Sequence, residues 1–159
     1  MMSIRSTAKA LIVRDGQLLL NRCSYPDGRI YYDLPGGGQH PFESLEDALR
    51  REIREETGYF ATVQRMVAIS EEINTDPALR ATYPEYCHRI LHIFLAELSR
   101  SEKEIPTEKD LGMDTSVWIP LEKVHELPEI NPSYIQSSLQ TILSASAPIW
   151  FGTEYRDRI

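Results

Sequence analysis

The string GGGQHPFESLEDALRREIREETGY, residues 36–59, sets three glycines ahead of a short polar loop and a long run without Gly or Pro. From Ser44 to Thr57 that run is rich in Glu, Arg, Leu and Ala, and Gly58 stands where a helix takes its C-terminal glycine. The spacing predicts a helix over 44–57. At about 100° per residue from Leu45, the residues Ala48, Leu49 and Ile53 fall at about −60°, +40° and +80° and define an apolar stripe. Glu52 and Glu56 land inside the stripe at about −20° and +20°, and Glu55 lies at its edge at about −80°. Arg50, Arg51, Arg54, Glu46 and Asp47 take the polar side.

Composition alone describes such a helix as a solvated salt-bridge face. The geometry cuts against that reading, because carboxylates that face the body of a protein are costly unless something cationic meets them. Glu52, Glu55 and Glu56 lie within one turn of each other. Three clustered carboxylates repel one another and make an oxygen-ligand site suited to a hard cation such as Mg²⁺ or Mn²⁺, whereas the lack of sulfur and imidazole disfavours zinc. Upstream, Gly36-Gly37-Gly38 are expected to lack regular structure and to let backbone come close to a phosphate or a metal. Glu43 stands just before the helix N-terminus, where anions are favoured.

Working outward, residues 7–22 read as a hairpin, with Ala8, Ala10 and Ile12 alternating, a turn at Asp15-Gly16 and a return through Leu18-Leu19-Leu20. Ile30-Tyr31-Tyr32 reads as a short aromatic strand. Residues 61–73 and 87–98 carry β-type apolar runs, and the polar segment from Asn74 to Tyr86 between them is a loop long enough to be functional. Ser99 to Thr115 reads as charged and exposed, Val117-Trp118-Ile119 as a strand, and Pro120-Leu121-Glu122 as the start of a brief helical stretch. A second helix follows Asn131, with Pro132 in its first turn and Ile135, Leu139, Ile142 and Leu143 at helical spacing. The apolar tail from Pro148 to Gly152 either docks on the domain or forms the subunit interface of a homodimer.

The 159 residues, 42% hydrophobic, fit one α/β domain over 1–159. A net charge of −7 argues against polymeric nucleic acid or an anionic membrane as partner. Residues 43–59 alone hold six acids against three arginines. A bound divalent cation would reverse the sign of that segment, so small nucleotides that arrive with their metals remain admissible. Cys23 and Cys87 make neither a disulfide framework nor a zinc ribbon, which fits a reducing cytoplasm. The N-terminus shows no secretory apolar stretch, and no run approaches the ~18 residues of a membrane span.

The spacing over Gly37 to Tyr59 resembles the Nudix box, Gly-x5-Glu-x7-Arg-Glu-U-x-Glu-Glu-x-Gly-U, where U is bulky and apolar. It runs Gly37, Glu43, then Arg51-Glu52-Ile53-Arg54-Glu55-Glu56-Thr57-Gly58-Tyr59. Each specified position matches but the last, where Tyr59 replaces an aliphatic residue. Leu34-Pro35-Gly36-Gly37-Gly38 before the box and Trp118-Ile119-Pro120-Leu121 after it are also similar to Nudix hydrolases. The order of elements extends the resemblance over residues 5 to 145.

The resemblance implies a Nudix-type α/β/α sandwich with a mixed central sheet. It also implies metal-dependent hydrolysis of a pyrophosphate bond in a nucleoside diphosphate linked to another group. The Mg²⁺ or Mn²⁺ ligands would be Glu52, Glu55, Glu56 and the Gly37 carbonyl, with Glu52 a candidate general base and Arg51 positioning Glu43 or a ligand carboxylate. Glu97, Glu102, Glu108, Asp110 and Asp114 are the alternatives for base or extra ligand from a later loop. Arg22 and Arg89 are candidates to grip phosphates, an ion pair being the competing role. Tyr31, Tyr32, Tyr83 and Tyr86 are candidates to stack on a base, with core or loop packing as the competing role, and Tyr32, close to the glycine loop, is the first of them. His88 and His92, four apart on a strand, are too distant to share an ion. ADP-ribose or a nucleotide sugar is the favoured substrate, on the weak signal of Pro77 beyond the box. A nucleoside triphosphate is the alternative, and a non-catalytic nucleotide sensor a third reading that the intact Glu52, Glu55 and Glu56 disfavour.

Overall fold

A computed structural model describes residues 3–110 and 112–157. Met1, Met2, Leu111, Arg158 and Ile159 of the domain expected over 1–159 lie outside the described residues.

Asp15 and Gly16 adopt positive φ of 51° and 73°, the mirror-image turn whose twist matches its flanking strands. They join β1 (Arg5–Arg14) to β2 (Gln17–Ser24). Val13 pairs with Leu18 and Arg14 with Gln17, and there the hairpin ends. Below it β1 runs parallel to β6 (His88–Leu98), in register from Arg5 on Arg89 to Ile12 on Ala96. β2 departs the other way, antiparallel to both β3 (Ile30–Asp33) and β7 (Met113–Pro120). Four strands complete the mixed sheet: β4 (Gly36–Gly38) on β1, β5 (Ala61–Asn74) on β6, β8 (Ile130–Asn131) on β3 and β9 (Ile149–Arg156) on β5.

Alternation along β1 and β2 separates two cores. Ala8, Ala10, Ile12 and Leu19 pack on Leu49 and Ile53 of α1 (Leu45–Thr57). Leu11, Leu18 and Leu20 pack with Ile135, Leu139 and Ile142 of α3 (Tyr134–Ser144). One helix therefore covers each face, the sandwich expected from the box.

Several elements differ from the sequence reading. The three glycines form β4 rather than irregular backbone, because they pair with β1, and there Gly36 lies too close for a side chain: a Cβ on it would stand 2.2 Å from the Ala8 carbonyl oxygen. The polar segment after Asn74 contains a short helix, α2 (Pro77–Thr82), capped by Asp76. Pro132 precedes the Ser133 cap of α3 instead of sitting in its first turn. The apolar tail docks within the chain as β9, where Phe151 stacks on Tyr134 with ring centroids 4.0 Å apart.

Candidate active site

α1 is anchored at both ends. Ser44 Oγ accepts from the Asp47 amide at 3.1 Å, and Gly58, at φ 75°, closes the last turn with its amide on the Arg54 carbonyl. Ala48, Leu49 and Ile53 are fully buried, as the stripe requires. Glu56 follows them inside and is only 2% exposed.

The carboxylates of the helix divide between two environments. Arg51 makes a two-pronged contact with Glu43, Nε to Oε1 at 2.8 Å and Nη2 to Oε2 at 2.9 Å, and it also donates to the Gly38 carbonyl at 3.0 Å. Its Nη1 bridges Glu52 at 2.7 Å and Glu55 at 3.0 Å. Hydrogen bonds from Arg51 hold the Glu43 carboxyl down at about 2. Burial raises the Glu52 carboxyl against the pull of Arg51.

Glu56 turns inward instead. Its Oε2 accepts from Asn21 Nδ2 at 2.8 Å and from the Gly36 amide at 2.9 Å, while Oε1 is buried with no hydrogen-bond partner. Burial pushes its pKa well above the ordinary range, the Lys9 ammonium opposes this, and the neighbouring Asp110 carboxyl adds to it. The three glutamates thus approach from two sides. Among the described residues no three His, Cys, Asp or Glu side chains converge into a ready-made cage.

Asp110 comes from the charged segment after β6, which is exposed as expected but tied down. Its Glu104 amide donates to Gly58, and its Thr107 and Glu108 amides both donate to the Glu55 carbonyl, at 2.9 and 3.0 Å. Asp110 and Asn21 thereby stand where the helix meets a cleft of about 390 Å³. Tyr31, Asp33, Glu72 and Asn131 line its strand side, and Tyr83, Tyr86 and Cys87 line its rim. Asp33 is braced by Lys9 Nζ, 3.2 Å away, and burial nevertheless raises its carboxyl. Burial works to lower the Lys9 ammonium, but Asp33, Glu56 and Asp110 together hold it above its ordinary value.

The NUDIX domain family matches residues 4–138. The chain belongs to that family. Over 66 residues it is 44% identical to the nucleoside triphosphatase NudI of Escherichia fergusonii, covering 39% of this chain and 45% of that protein. Over 68 residues it is 41% identical to the CTP pyrophosphohydrolase of Escherichia coli strain K12, covering 42% and 50%. The aligned stretch spans about half the length of these relatives. The fold is shared with the solution structure of the Escherichia coli ORF135 protein, at TM-score 0.62 and 24% identity over 91% of this chain and 94% of that one. An ADP-ribose pyrophosphatase from Streptococcus suis has the same fold, at TM-score 0.61 and 18% identity over 96% and 100%.

Nudix hydrolases generally use divalent metal ions, and the residues here fit one. The buried Glu56 Oε1 has no hydrogen-bond partner, the available ligand atoms are hard oxygens, and Gly37 leaves Glu52 room: a Cβ there would stand 2.5 Å from the Glu52 carboxylate. Gly38 is equally filled from outside, by the Arg5 guanidinium. Of the expected site residues, Arg51, Glu52, Glu55, Glu56, Gly37 and Gly38 are gathered at the Nudix helix.

Arg22 and Tyr32 are not. Strand alternation sends Asn21, Cys23, Tyr31 and Asp33 to the cleft, whereas Tyr32 packs in the α3 core and Arg22 pairs with Asp114. Arg89 reaches the cleft but is ion-paired with Glu72. Tyr31, Tyr83 and Tyr86, the other stacking candidates, do line the cleft, whereas Asn21, Asp33, Glu72, Asn131 and Arg156 escaped sequence reasoning. A signal existed for one of them: Asn21 directly follows the apolar run Leu18-Leu19-Leu20 inside β2. Among the described residues no helix is long and apolar enough to cross a membrane.

Proposed function

We propose that this Nudix protein is a metal-dependent pyrophosphohydrolase that converts a nucleoside triphosphate to the monophosphate and pyrophosphate. In this reading Glu52, Glu55, Glu56 and the Gly37 carbonyl hold Mg²⁺ or Mn²⁺, and the nucleobase lies in the cleft beyond Asn21. The observation that carries it is Glu56: a buried carboxylate with one oxygen unpartnered, set beside Asp110 at the mouth of a nucleoside-sized cleft. The likeness to a nucleoside triphosphatase and a CTP pyrophosphohydrolase supports a triphosphate over ADP-ribose. Pro77, which suggested ADP-ribose, merely opens α2.

A bound divalent ion supplies neutralisation of the phosphate oxygens and acidification of water. The chain supplies the rest. Arg51 fixes Glu43 and the directions of Glu52 and Glu55. Asn21 ties Glu56 to the cleft wall and is itself held, its Oδ1 accepting from Ser116 Oγ at 2.9 Å. Glu52 and Asp110 are the two carboxyls placed to take the proton of the attacking water. The substrate is a small nucleotide of the cytoplasm, and the domain runs over residues 1–159.

The test incubates the protein with Mg²⁺ or Mn²⁺ and a panel of nucleoside triphosphates, ADP-ribose, nucleotide sugars and dinucleoside polyphosphates. Nucleoside monophosphate with pyrophosphate is the expected product pair, lost on chelation and restored by added metal. AMP with ribose 5-phosphate as the main products would transfer the reading to ADP-ribose. Turnover of no panel member, with either metal, would sink the enzymatic reading. Asp110→Asn compared with Glu52→Gln separates the two candidate bases: the base is the one whose loss flattens the acidic limb of the rate profile.

A further inference from the structure

The cleft ends on a wall made of two side chains, one from β8 and one from β9. Arg156 Nη2 donates to Asn131 Oδ1 at 2.9 Å. Both residues line the cleft on one side and, on the other, a second cavity of about 280 Å³ bounded by Glu129, Ser133 and Glu154. The pair is the partition between two spaces.

Arg156 is held in place from several directions. Its Nη1 lies 3.5 Å from Glu72 Oε1 and its Nη2 3.6 Å from Glu129 Oε1, and its side chain is 11% exposed. Its carbonyl accepts from the Thr75 amide at 2.6 Å and from Thr75 Oγ1 at 3.1 Å. A guanidinium can only donate hydrogen bonds, so the Asn131 atom turned toward it must be the carbonyl oxygen. Chemistry thereby settles the orientation of the amide, and its NH₂ is the group left for a ligand. The register partner of Asn131 across β3 and β8 is Asp33, which also lines the cleft. A donor beside an acceptor, on one wall, complements the adjacent N–H and acceptor that nucleobase edges carry.

We infer that Arg156 is a positioning residue for base recognition: it directs the Asn131 amide at the nucleobase and, with Asn131, closes the cleft against bulkier bases. The inference rests on the nucleotide reading above. It gives the C-terminal strand, which lies outside the 4–138 match, a role in selectivity.

The experiment measures kcat and KM of the full chain and of Arg156→Ala, Arg156→Lys and Asn131→Asp. The substrates are CTP, ATP and their derivatives carrying a benzyl group on the exocyclic amine. Arg156→Ala is expected to raise KM for the parent nucleotides about tenfold with kcat within about threefold, and to erode the preference for parent over benzyl derivative by about tenfold. Arg156→Lys, which keeps the charge without the fork, should give an intermediate KM and keep most of the size preference. Asn131→Asp should raise KM while leaving size preference intact. If Arg156→Ala leaves KM and preference within twofold, or if KM and kcat deteriorate with the preference unchanged, the inference is overturned. Should that variant fail to fold in a thermal melt, an unaltered KM in both other variants overturns it.

Turnover of nothing by the wild-type chain would count against the hydrolase reading alone. Calorimetric affinities for CMP and AMP across the same variants then decide the inference: loss of affinity in the variants upholds it. Equal affinity across the variants, or no binding by wild type, overturns it.

Discussion

Every arm of the Arg51 guanidinium meets oxygen, from Glu43, Glu52, Glu55 or the Gly38 carbonyl. Arg51→Lys keeps one charge and loses the planar fork, and urea denaturation should show a loss of about 1–2 kcal/mol. Because the Glu43 carboxyl is depressed from 4.5 to about 2 in the fold, its ion pair stabilises fully above about pH 4.5. That contribution fades as pH falls from there toward 2. The stability gap between wild type and Glu43→Gln should therefore be constant near neutrality and narrow steadily below pH 4.5, as read by denaturant melts across pH. Glu56→Gln retains the shape of the side chain and removes the charge, so kcat should drop about 100-fold or more while the melting curve holds or rises, burial of that charge being unfavourable. A variant as active as wild type would remove Glu56 from the site. At this scale the sequence is informative wherever spacing sets direction: the angle of Glu56 on the helix is enough to turn it toward the protein body. It is silent on Tyr31 against Tyr32, since only strand phase decides which of two adjacent tyrosines faces the cleft.

α1 is legible in the sequence almost to its last residue, because cap, period and terminal glycine all agree. Gly58 also serves a second element. A Cβ there would lie 2.0 Å from the Glu104 carbonyl oxygen, and φ of 75° is itself unfavourable for other residues. Gly58→Ala should cost about 2 kcal/mol or more in a denaturant melt, and it should lower turnover further by displacing the segment that carries Asp110. Tyr59, the departure from the box pattern, is 8% exposed and accepts a hydrogen bond from Trp118 Nε1 at 3.2 Å. The two aromatics meet edge to face, so a tyrosine fills an aliphatic position because a distant tryptophan on β7 supplies both an apolar face and a donor. The glycine strand β4 escapes a local reading for the opposite reason. Its conformation comes from a neighbour, β1, and local propensity carries no trace of that pairing.

Across the whole molecule, the cleft is the least legible part, being assembled from polar residues on six different strands. No local pattern links Asn21, Asp33, Glu72, Asn131 and Arg156; only the sheet order brings them together. β9 closes that assembly. Ending the chain after Ala147 removes the Phe151 stack and the pairing with β5, and should lower the melting temperature by about 5–10 °C. The parallel pairing of β1 with β6 joins positions 84 residues apart, Arg5 with Arg89 at one end and Ile12 with Ala96 at the other. β1 can therefore pair early with β2 and β4, but its β6 flank waits for a partner 84 residues further along the chain, with α1 and β5 made in between. Until β6 is made, that edge of β1 stands open, and the time taken to make β5 and β6 sets how long it does so.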